Sequence, residues 1–492
     1  MLGFDFTWVK NIFTIQQQVN GAITDEQFVV KQIQDFLASP VRRDMLTGER
    51  YYRGIHDILW RKRLVIGEDG ELEEVKNLPN ARIVDNQYKK MVKQKNNYLL
   101  GQPVTFTSDD DTYNDILQSI FDKTFMKTLK NVGKDSLNCG IGWLYMGYGE
   151  DGELQFKRFK PYEVIPGWAD TDHTILDYAI RIYEIEQYTR AGINILKKVE
   201  IYTKTGIHCY TLDGGTLKPD DVPYMPYFYV GQEGYNWERI PLIAFKYGDE
   251  ELPLIKSVKS LQDGINLMES TFENNMQEDS RNTVLVLINY DGENLGEFRR
   301  NLAQYGAVKV RTMANGGNGG IQSLQVEVDA ENYKAILELF KKALIENAMG
   351  FDAKDDRLSG NPNQMNIMSM YSDIDLDAND TETEYQAAME QLLWFVNAHI
   401  SNMGMGDYDG VPVTVTFNRD MLMNESDIID NCQKSVGILS DETIIKNHPW
   451  IDDPQAELDR LKAQKEEEMQ NMDSYYSAFG NNANNGGDPV EE

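Results

Sequence analysis

The chain has 492 residues, with 79 Asp and Glu against 48 Lys and Arg and a formal net charge of −31. Hydrophobic residues make up 41% of the chain, which allows a sizeable core in roughly two to four domains and argues against global disorder. Such an acidic surface would repel phosphates, so the chain is not expected to bind nucleic acid over its whole surface.

The cysteines and histidines are few and scattered. Cys139, Cys209 and Cys432 lie far apart, which fits neither a disulfide framework nor a clustered metal site and is typical of a reducing compartment. The first residues, MLGFDFTWVKN, lack the long apolar core of a signal peptide, and the longest aliphatic run, VLVLI at 284–288, is too short for a bilayer. We therefore predict a soluble intracellular protein without a metal or other cofactor.

The first quarter of the chain has the pattern of helices. Apolar residues at helical spacing predict helices over 24–39 and 85–101. Between them, YYRGIHDILWRKR at 51–63 combines aromatic and basic side chains. This stretch fits either a nucleic-acid patch or the solvated basic edge of an amphipathic helix. Because the whole chain is strongly acidic, we favour a third role, contact with an acidic neighbouring subunit.

The hydrophobic period changes near residue 140. Alternating residues predict mainly β-structure over 140–247, beginning with a hairpin at 142–159. A helical period returns at 254–280, where apolar residues spaced by three or four predict one long helix of about 27 residues. A compact α/β insert follows at 282–329. A second long helix covers 330–350 and ends at Gly350, which we predict as its C′ residue.

The segment RLSGNPNQMNIMSMYSDIDL separates two well-formed helices. It is polar, contains Gly360 and Pro362, and then carries three methionines and a run of aspartates. We predict a loop over 351–370 and a long helix over 371–400, with the methionines at the start of that helix. Beyond it, the patterns predict a strand at 411–419, two helices within 439–469, and a disordered tail at 480–492.

Glycine-rich stretches do not match a nucleotide-binding loop. NGGNGG at 315–320 lacks a following Lys-Ser/Thr pair and is typical of a mobile turn. Gly133 and Lys134 are followed by Asp135, and Thr128 stands where the first glycine of a P-loop would be. The sequence therefore predicts no ATP hydrolysis by that mechanism.

The run DIDLDANDTETE at 373–384 leaves two interpretations open. Its acids match positions 1, 3, 5 and 12 of a calcium loop, but Ala378 replaces the glycine and Asp380 the aliphatic residue. The alternative is an acidic helix face that lines water or an ion-filled space. A metal-dependent nuclease that uses this cluster would belong to the first interpretation.

Several segments together resemble a known family. YYRGIHDILWRKR, YLLGQPVTF, LYMGYGEDGELQFKRFKPYEVIPGW, LGEFRRNLAQYGAVKV and YSDIDLDAND resemble, in their order and spacing, the portal proteins of tailed bacteriophages. The resemblance runs from about residue 25 to 465 and is to the branch found in long-tailed phages of Gram-positive hosts. It implies an α+β, mainly helical portal fold that assembles as a ring of twelve subunits.

The resemblance also implies a division of the chain into named parts. The expected parts are wing at 1–250 and 401–435, stem helices at 251–281 and 330–350, the clip insert at 282–329, a tunnel loop at 351–370, a long wing or channel helix at 371–400, and crown at 436–479. The implied ring is the DNA channel of the unique capsid vertex, which nucleates the procapsid and takes part in genome packaging and ejection. The main alternative is another structural component of the capsid or scaffold.

The implied partners are all parts of a phage. They are double-stranded DNA passing without sequence specificity, the terminase, head-completion or adaptor proteins, the scaffold and the major capsid protein. The protein would not be an enzyme or contact a membrane, and it would occur in the virion and, during assembly, in the host cytoplasm. An acidic channel wall would let DNA slide.

Three sets of residues are candidate contacts. We predict DNA contacts in the tunnel loop by Lys354, Arg357, Ser359, Asn361, Asn363 and Gln364. We predict subunit contacts by Tyr51, Tyr52, Arg53, Trp60, Arg61, Met365, Met368 and Met370. We predict contacts of the clip with partner proteins by Arg299, Arg300, Lys309 and Arg311.

Overall fold

The computed structural model describes residues 26–66, 70–75, 78–149, 152–189, 192–278, 284–288, 320–324, 330–352, 364–419, 425–448, 450–451 and 457–464. The chain forms two compact units. The first comprises Met1–Phe351 and Asp373–Asp420, and the second comprises Asp352–Ser372 and Met421–Glu492.

The first described residues of the first unit form helices, and side chains cap the starts of those at 40–52, 87–100, 111–120 and 123–139. The helices are α1 (Glu26–Ala38), α2 (Pro40–Tyr52), α3 (Gln87–Leu100), α4 (Asp111–Ile120) and α5 (Lys123–Cys139), with a 3₁₀ turn at Asp57–Trp60. Ser39 accepts from the backbone of Arg42 at the start of α2, and Asp122 caps α5 in the same way. Helices α1 and α3 confirm the predicted ones, whereas α2, α4 and α5 were not separately predicted. Gly133 and Lys134 lie inside α5, so they form no phosphate loop.

Close approach of α2 and α5 depends on one glycine. A Cβ atom added to Gly48 would lie 1.9 Å from the carbonyl oxygen of Asn138. Only a residue without a side chain fits there, so the two backbones can pack in contact. Three short strands accompany these helices: β1 (Leu64–Ile66), β2 (Leu72–Glu74) and β3 (Thr105–Thr107).

Two antiparallel sheets confirm the predicted β-region. The strands are β4 (Ile141–Tyr148), β5 (Leu154–Phe159), β6 (Val164–Trp168), β7 (Leu176–Thr189), β8 (Gly192–Thr203), β9 (Gly206–Asp213), β10 (Thr216–Met225), β11 (Phe228–Val230), β12 (Glu233–Tyr235) and β13 (Leu242–Lys246). The first sheet has the order β13-β4-β5, in which Trp143 faces Ala244 on one side and Phe159 on the other. The second sheet is a five-stranded meander in the order β10-β9-β8-β7-β6. Strands β11 and β12 pair with each other, and strands β6, β10, β11 and β12 were not predicted.

Two long helices flank the predicted insert. Helix α6 (Ile255–Glu278) confirms the helix predicted at 254–280, and α7 (Ala330–Asn347) confirms the one at 330–350. Their side chains interdigitate, since the rings of Phe272 and Tyr333 lie 5.1 Å apart. Strands β14 (Val284–Ile288) and β15 (Gly320–Leu324) pair antiparallel between the two helices in sequence. The rest of the α/β insert predicted at 282–329 lies outside the described residues.

The end of α7 differs by one residue from the prediction. The amide of Gly350 donates to the carbonyl of Ile345 (2.9 Å), and the amide of Met349 donates to that of Glu346 (3.0 Å). This is a Schellman ending in which Met349, with φ of 48°, is the C′ residue. Gly350 follows it, so the left-handed position is held by a methionine where a glycine was expected.

The helix after the tunnel-loop region starts earlier than predicted. Helix α8 (Gln364–Asn402) has 39 residues and a length of roughly 58 Å, and it begins seven residues before the predicted boundary at 371. Gln364 is therefore the first helical residue and not part of a loop. Strand β16 (Thr414–Thr416) follows and pairs with β3. Helix α9 (Glu425–Lys434), which was not predicted, precedes α10 (Asp441–Lys446) and a further helical stretch at 457–464.

Three apolar clusters form the interior of the described chain. The largest joins α4, α5, the β13-β4-β5 sheet and α8, where Tyr385 packs edge-on against Phe245 at 5.2 Å. A second cluster joins α3, α6 and α7. A third lies between α1 and the five-stranded sheet. The long helices are therefore seated on a mixed α and β body.

Candidate functional site

A row of buried polar side chains runs along α6. Gln262, Asn266, Ser270 and Asn274 recur every fourth residue and are fully buried. Asn266, Ser270 and Asn274 each accept a hydrogen bond from the backbone of the extended segment 81–85, and Gln262 accepts one from the first turn of α3. Tyr88 N donates to Gln262 Oε1 (2.9 Å), Asp85 N to Asn266 Oδ1 (3.0 Å), Ile83 N to Ser270 Oγ (2.9 Å) and Ala81 N to Asn274 Oδ1 (2.7 Å).

The spacing of this row has a simple geometric cause. Four residues of helix rise about 6.0 Å, and two residues of extended chain span roughly 6.6 Å, so the two repeats nearly match. The side chains of α6 thus act as the edge of a strand for residues 81–85. Because Ala81, Ile83 and Asp85 bond in one register and Tyr88 bonds the next side chain of the row, sliding α6 along this segment would break all four bonds together. The helix is held rigidly to the body of the first unit.

His56 belongs to the same buried network. Its Nδ1 accepts from the amide Nδ2 of Asn266 (2.8 Å), and its Nε2 donates to the carbonyl of Tyr51 (3.0 Å). This pairing fits the neutral ring, because both ring nitrogens already have the partner that the neutral form needs. Burial lowers the pKa of His56 below its ordinary value.

The acidic stretch of α8 forms ion pairs with residues distant in sequence. Lys95 Nζ lies 2.6 Å from Asp377 Oδ2, and the Lys95 side chain is only 3% exposed. The hydroxyl of Tyr247 donates to Asp377 Oδ1 at 2.6 Å. Burial lowers the pKa of Lys95 and raises that of Tyr247 well above its ordinary value. One carboxylate of the run therefore lies inside the first unit.

Arg419 holds a second part of the same stretch. Its guanidinium donates to Asp375 (2.5 Å), to the side-chain carbonyl of Asn379 (2.7 Å) and to Glu382. The hydroxyl of Tyr98 also donates to Asp375 (2.9 Å). The segment after β16 is thereby tied to three successive turns of α8.

The calcium-loop interpretation of residues 373–384 is therefore wrong. These residues lie on a continuous helix, on which the carboxylates point in different directions and three of them already have cationic partners. Within the described ranges, no group of three His, Cys, Asp or Glu side chains could hold a metal ion. The expectation of a wholly solvated acidic face is also wrong, because Asp377 is only 12% exposed.

The basic stretch at 51–63 is partly internal. Tyr51 is fully buried, and its hydroxyl donates to Asp263 at 2.5 Å, so it has no surface to offer another subunit. Arg53 pairs with Glu49 (2.7 Å), and Arg61 reaches toward Thr271 of α6. These contacts correct the expectation that the stretch is one continuous contact strip.

Two of the remaining predicted contacts from that stretch stay at the surface. Trp60 is 58% exposed, and the guanidinium of Arg50 lies 4.9 Å from its ring centre. Tyr52 is half-buried, and the ammonium groups of Lys89 and Lys134 lie 5.6 and 5.8 Å from its ring centre. Both tyrosine and tryptophan therefore carry cations on their faces.

The other predicted contact residues divide into two groups. Met365 and Met368 are 79% and 58% exposed, whereas Met370 is buried and offers little surface for a subunit contact. The remaining residues lie outside the described part of the chain: Lys354, Arg357, Ser359, Asn361, Asn363, Arg299, Arg300, Lys309 and Arg311. Their roles stay predictions. Among the residues that the structure describes, no helix combines the length and hydropathy that crossing a membrane requires.

Comparison with known proteins agrees with the resemblance found in the sequence. The family model described as "Phage portal protein, SPP1 Gp6-like" matches residues 41–471. The portal protein of Bacillus phage SPP1 is 29% identical over 500 residues, covering 100% of this chain and 95% of that protein. The portal protein of Clostridium phage phiCD119 is 26% identical over 423 residues, covering 84% and 90%. Both phages infect Gram-positive hosts, which confirms the predicted branch. Because the family model spans most of its length, the chain belongs to the SPP1 Gp6-like family of phage portal proteins.

Proposed function

We propose that twelve copies of the chain form a ring whose central channel carries double-stranded DNA at the unique capsid vertex. In this role the ring nucleates the procapsid, docks the terminase, passes the genome in packaging and ejection, and joins the head to the tail through head-completion proteins. The family match over residues 41–471 carries the proposal, since phage portal proteins are structural components of the virion capsid. Assembly would take place in the host cytoplasm, with the scaffold and the major capsid protein as further partners.

The two long helices are the proposed stem of the ring. Helix α6 is bonded along its length to residues 81–88, and it packs against α7 through a shared apolar cluster. A rigid pair of helices placed side by side around an axis would make a continuous channel wall. Strands β14 and β15 would then belong to the clip, the rest of the first unit to the wing, and residues 436–479 to the crown.

Exposed apolar side chains on both helices support the ring. Leu267 and Met276 on α6 are 47% and 54% exposed, and Ile336 and Leu339 on α7 are 44% and 65% exposed. Apolar surface of this kind on paired helices marks an interaction site. In a closed ring each subunit contacts its two neighbours through two different surfaces. The exposed apolar residues of α6 would form one of these surfaces, and those of α7 would form the other.

The charge of the chain suits a passive conduit. Each copy carries a net charge of −31, so a ring would have an acidic wall over which phosphates are not held tightly. DNA could then slide in either direction. The energy for packaging would come from the terminase, in line with a structural and non-enzymatic family.

Imaging of purified protein tests the ring. Negative-stain averages should show twelvefold rings with a central hole, and a spherical shell would contradict the proposal. Leu339→Asp, on α7, should prevent ring formation because it places a charge in a buried contact. Ile175→Asp is the matched control, since Ile175 is 56% exposed outside the stem helices, and its rings should be intact.

Deletion of residues 358–363 tests the predicted tunnel loop. Rings of the deletion variant should assemble normally but should package or retain less DNA than wild-type rings. A deletion of the same size at 481–486, in the predicted tail, is the control and should package normally. Normal packaging by the 358–363 deletion would contradict the loop's role while leaving the ring untouched.

A further inference from the structure

A small cavity lies where α8 packs on α3 and α5. Its volume is about 20 Å³, and these three helices supply all of its lining residues. Every lining residue except Asp377 is buried, and all of them belong to the first unit. One water molecule needs a space of about 10–15 Å³, so the cavity has room for a single ligand of that size.

One polar atom at this cavity has no hydrogen-bond partner among the described residues. It is Oδ1 of Asn96, a lining residue whose exposed fraction is only 9%. The other end of the same amide is fixed, because Nδ2 donates to the carbonyl of Lys130 at 3.0 Å. Turning the amide over would set its oxygen against that carbonyl, so Oδ1 is the atom that needs a donor.

Gly133 of α5 leaves this oxygen facing a second one. A Cβ atom added to Gly133 would lie 2.6 Å from Asn96 Oδ1 and 3.3 Å from the hydroxyl oxygen of Tyr385. The two oxygens are therefore no farther apart than about 6 Å. Two O–H···O bonds of up to about 3.0 Å each can bridge such a gap.

The hydroxyl of Tyr385 needs a donor as well. The hydroxyl of Ser136 donates its single proton to the carbonyl of Gly133 at 2.8 Å. The bond of 2.6 Å between the Ser136 and Tyr385 hydroxyls is therefore donated by Tyr385. Burial raises the pKa of Tyr385, so its hydroxyl keeps that proton. The lone pairs of the Tyr385 oxygen remain available, and the cavity thus presents two acceptors.

We propose that one water molecule occupies this cavity and donates one proton to Asn96 Oδ1 and the other to the Tyr385 hydroxyl. Buried waters make roughly two to four hydrogen bonds, so two donated bonds suffice. An anion does not fit two acceptors, and the ammonium of Lys95, which lines the same cavity, repels a metal cation. The water joins α3 to α8 within one subunit, so this inference is independent of the proposed ring.

A crystal structure that resolves ordered water tests the site in the full chain. The wild-type map should contain one peak within about 3.2 Å of both oxygens. A map that shows other buried waters but no peak at this place would overturn the proposal. Crystals soaked in rubidium or bromide salts distinguish water from an ion, since an anomalous signal at the peak would also overturn it.

Two substitutions each remove one acceptor. Asn96→Leu and Tyr385→Phe roughly keep the size of the side chain but leave the water one partner, so the peak should be lost in both. Asn131→Leu is the matched control, because the Asn131 amide also donates to a helix carbonyl, that of Lys127 at 2.9 Å, but does not line the cavity. Its map should keep the peak. A peak that persists in both cavity variants would overturn the assignment of its partners.

Gly133→Ala provides an independent measurement. The added Cβ would lie 2.5 Å from Leu100 Cδ1 and 2.6 Å from Asn96 Oδ1, so it takes up the space beside the acceptor. The peak should disappear although both acceptors are still present, and the urea midpoint should fall because Asn96 Oδ1 loses its donor. A peak retained beside the new methyl group would place the water elsewhere and overturn the proposal.

Discussion

Removing the negative charge of Asp377 should destabilise the chain strongly. Asp377→Asn keeps the size of the side chain, and the hydroxyl of Tyr247 can still donate to its oxygen. The substitution removes the ionic partner of Lys95. The Lys95 side chain is only 3% exposed, and its Nζ lies 2.6 Å from Asp377 Oδ2. Its other hydrogen bond within the described residues is to the backbone carbonyl of Met349 at 3.2 Å. A buried cation would therefore be left with one neutral acceptor.

The expected cost follows from the burial of the pair. Breaking a buried ion pair by removing one partner costs about 3–5 kcal/mol. Because the bond from Tyr247 survives, we expect the lower end, about 3 kcal/mol, or roughly a hundredfold in the folding equilibrium. Adding Lys95→Met removes the unpaired charge, so the double variant should lie within about 1–2 kcal/mol of the wild type.

The assay is urea unfolding followed by tryptophan fluorescence at one fixed protein concentration. The Asp377→Asn midpoint should fall without a change in slope, and the double variant should recover most of the loss. Asp213→Asn is the matched control, because Lys218 and Asp213 are also 2.6 Å apart but are exposed to solvent. Its midpoint should not change. Equal midpoints for Asp377→Asn and the wild type would refute the claim that the pair is buried.

Three further perturbations have defined outcomes. Burial lowers the pKa of His56 in the folded state. As the pH falls, the unfolded state therefore binds the proton first, and the free energy of unfolding should decrease below about pH 6.5. His56→Gln should make the free energy of unfolding depend less on pH in this range. Met349→Gly should raise the thermal midpoint, since relief of left-handed strain of roughly 1–2 kcal/mol exceeds the added chain entropy of roughly 0.5–1 kcal/mol, and a lower midpoint would contradict this. Gly48→Ala should cost about 1–3 kcal/mol in chemical unfolding because its Cβ would clash with Asn138. Gly248→Ala, where an added Cβ meets nothing within 4 Å, should have no effect; equal effects of the two substitutions would show that the helix contact is not tight.

Apolar periodicity was sufficient to predict the main elements. The stripe on α6 and the alternation of β4 and β5 arise from local geometry, since a helix repeats near 3.6 residues and a strand at two. The family could also be recognised, because the order and spacing of its segments are properties of the sequence. Capping patterns were less informative, and the C′ residue of α7 proved to be Met349 because the backbone bonds of Ile345 and Glu346 fix that position.

The polar row on α6 could not be distinguished from a solvated face in the sequence. Amides and hydroxyls at every fourth position occur equally on an exposed side of a helix. Their burial depends on residues 81–88, which lie about 180 positions earlier in the chain, as the separation of 181 between Asp85 and Asn266 shows. The regular spacing of Gln262, Asn266, Ser270 and Asn274 was the available signal, and it gains meaning only beside an extended partner.

The sequence by itself determined the class, the order of the main helices and strands, the strong negative charge and the portal family. These depend on local periodicity, on composition and on the linear order of motifs. Only the tertiary structure decided which charges are neutralised and which are free. Asp377 and Lys95, separated by 282 positions, become a buried pair, whereas Lys93 of α3 and Lys127, Lys130 and Lys134 of α5 form no ion pair among the described residues. Charge pairing falls off over a few ångströms, so it is set by distances that only folding creates.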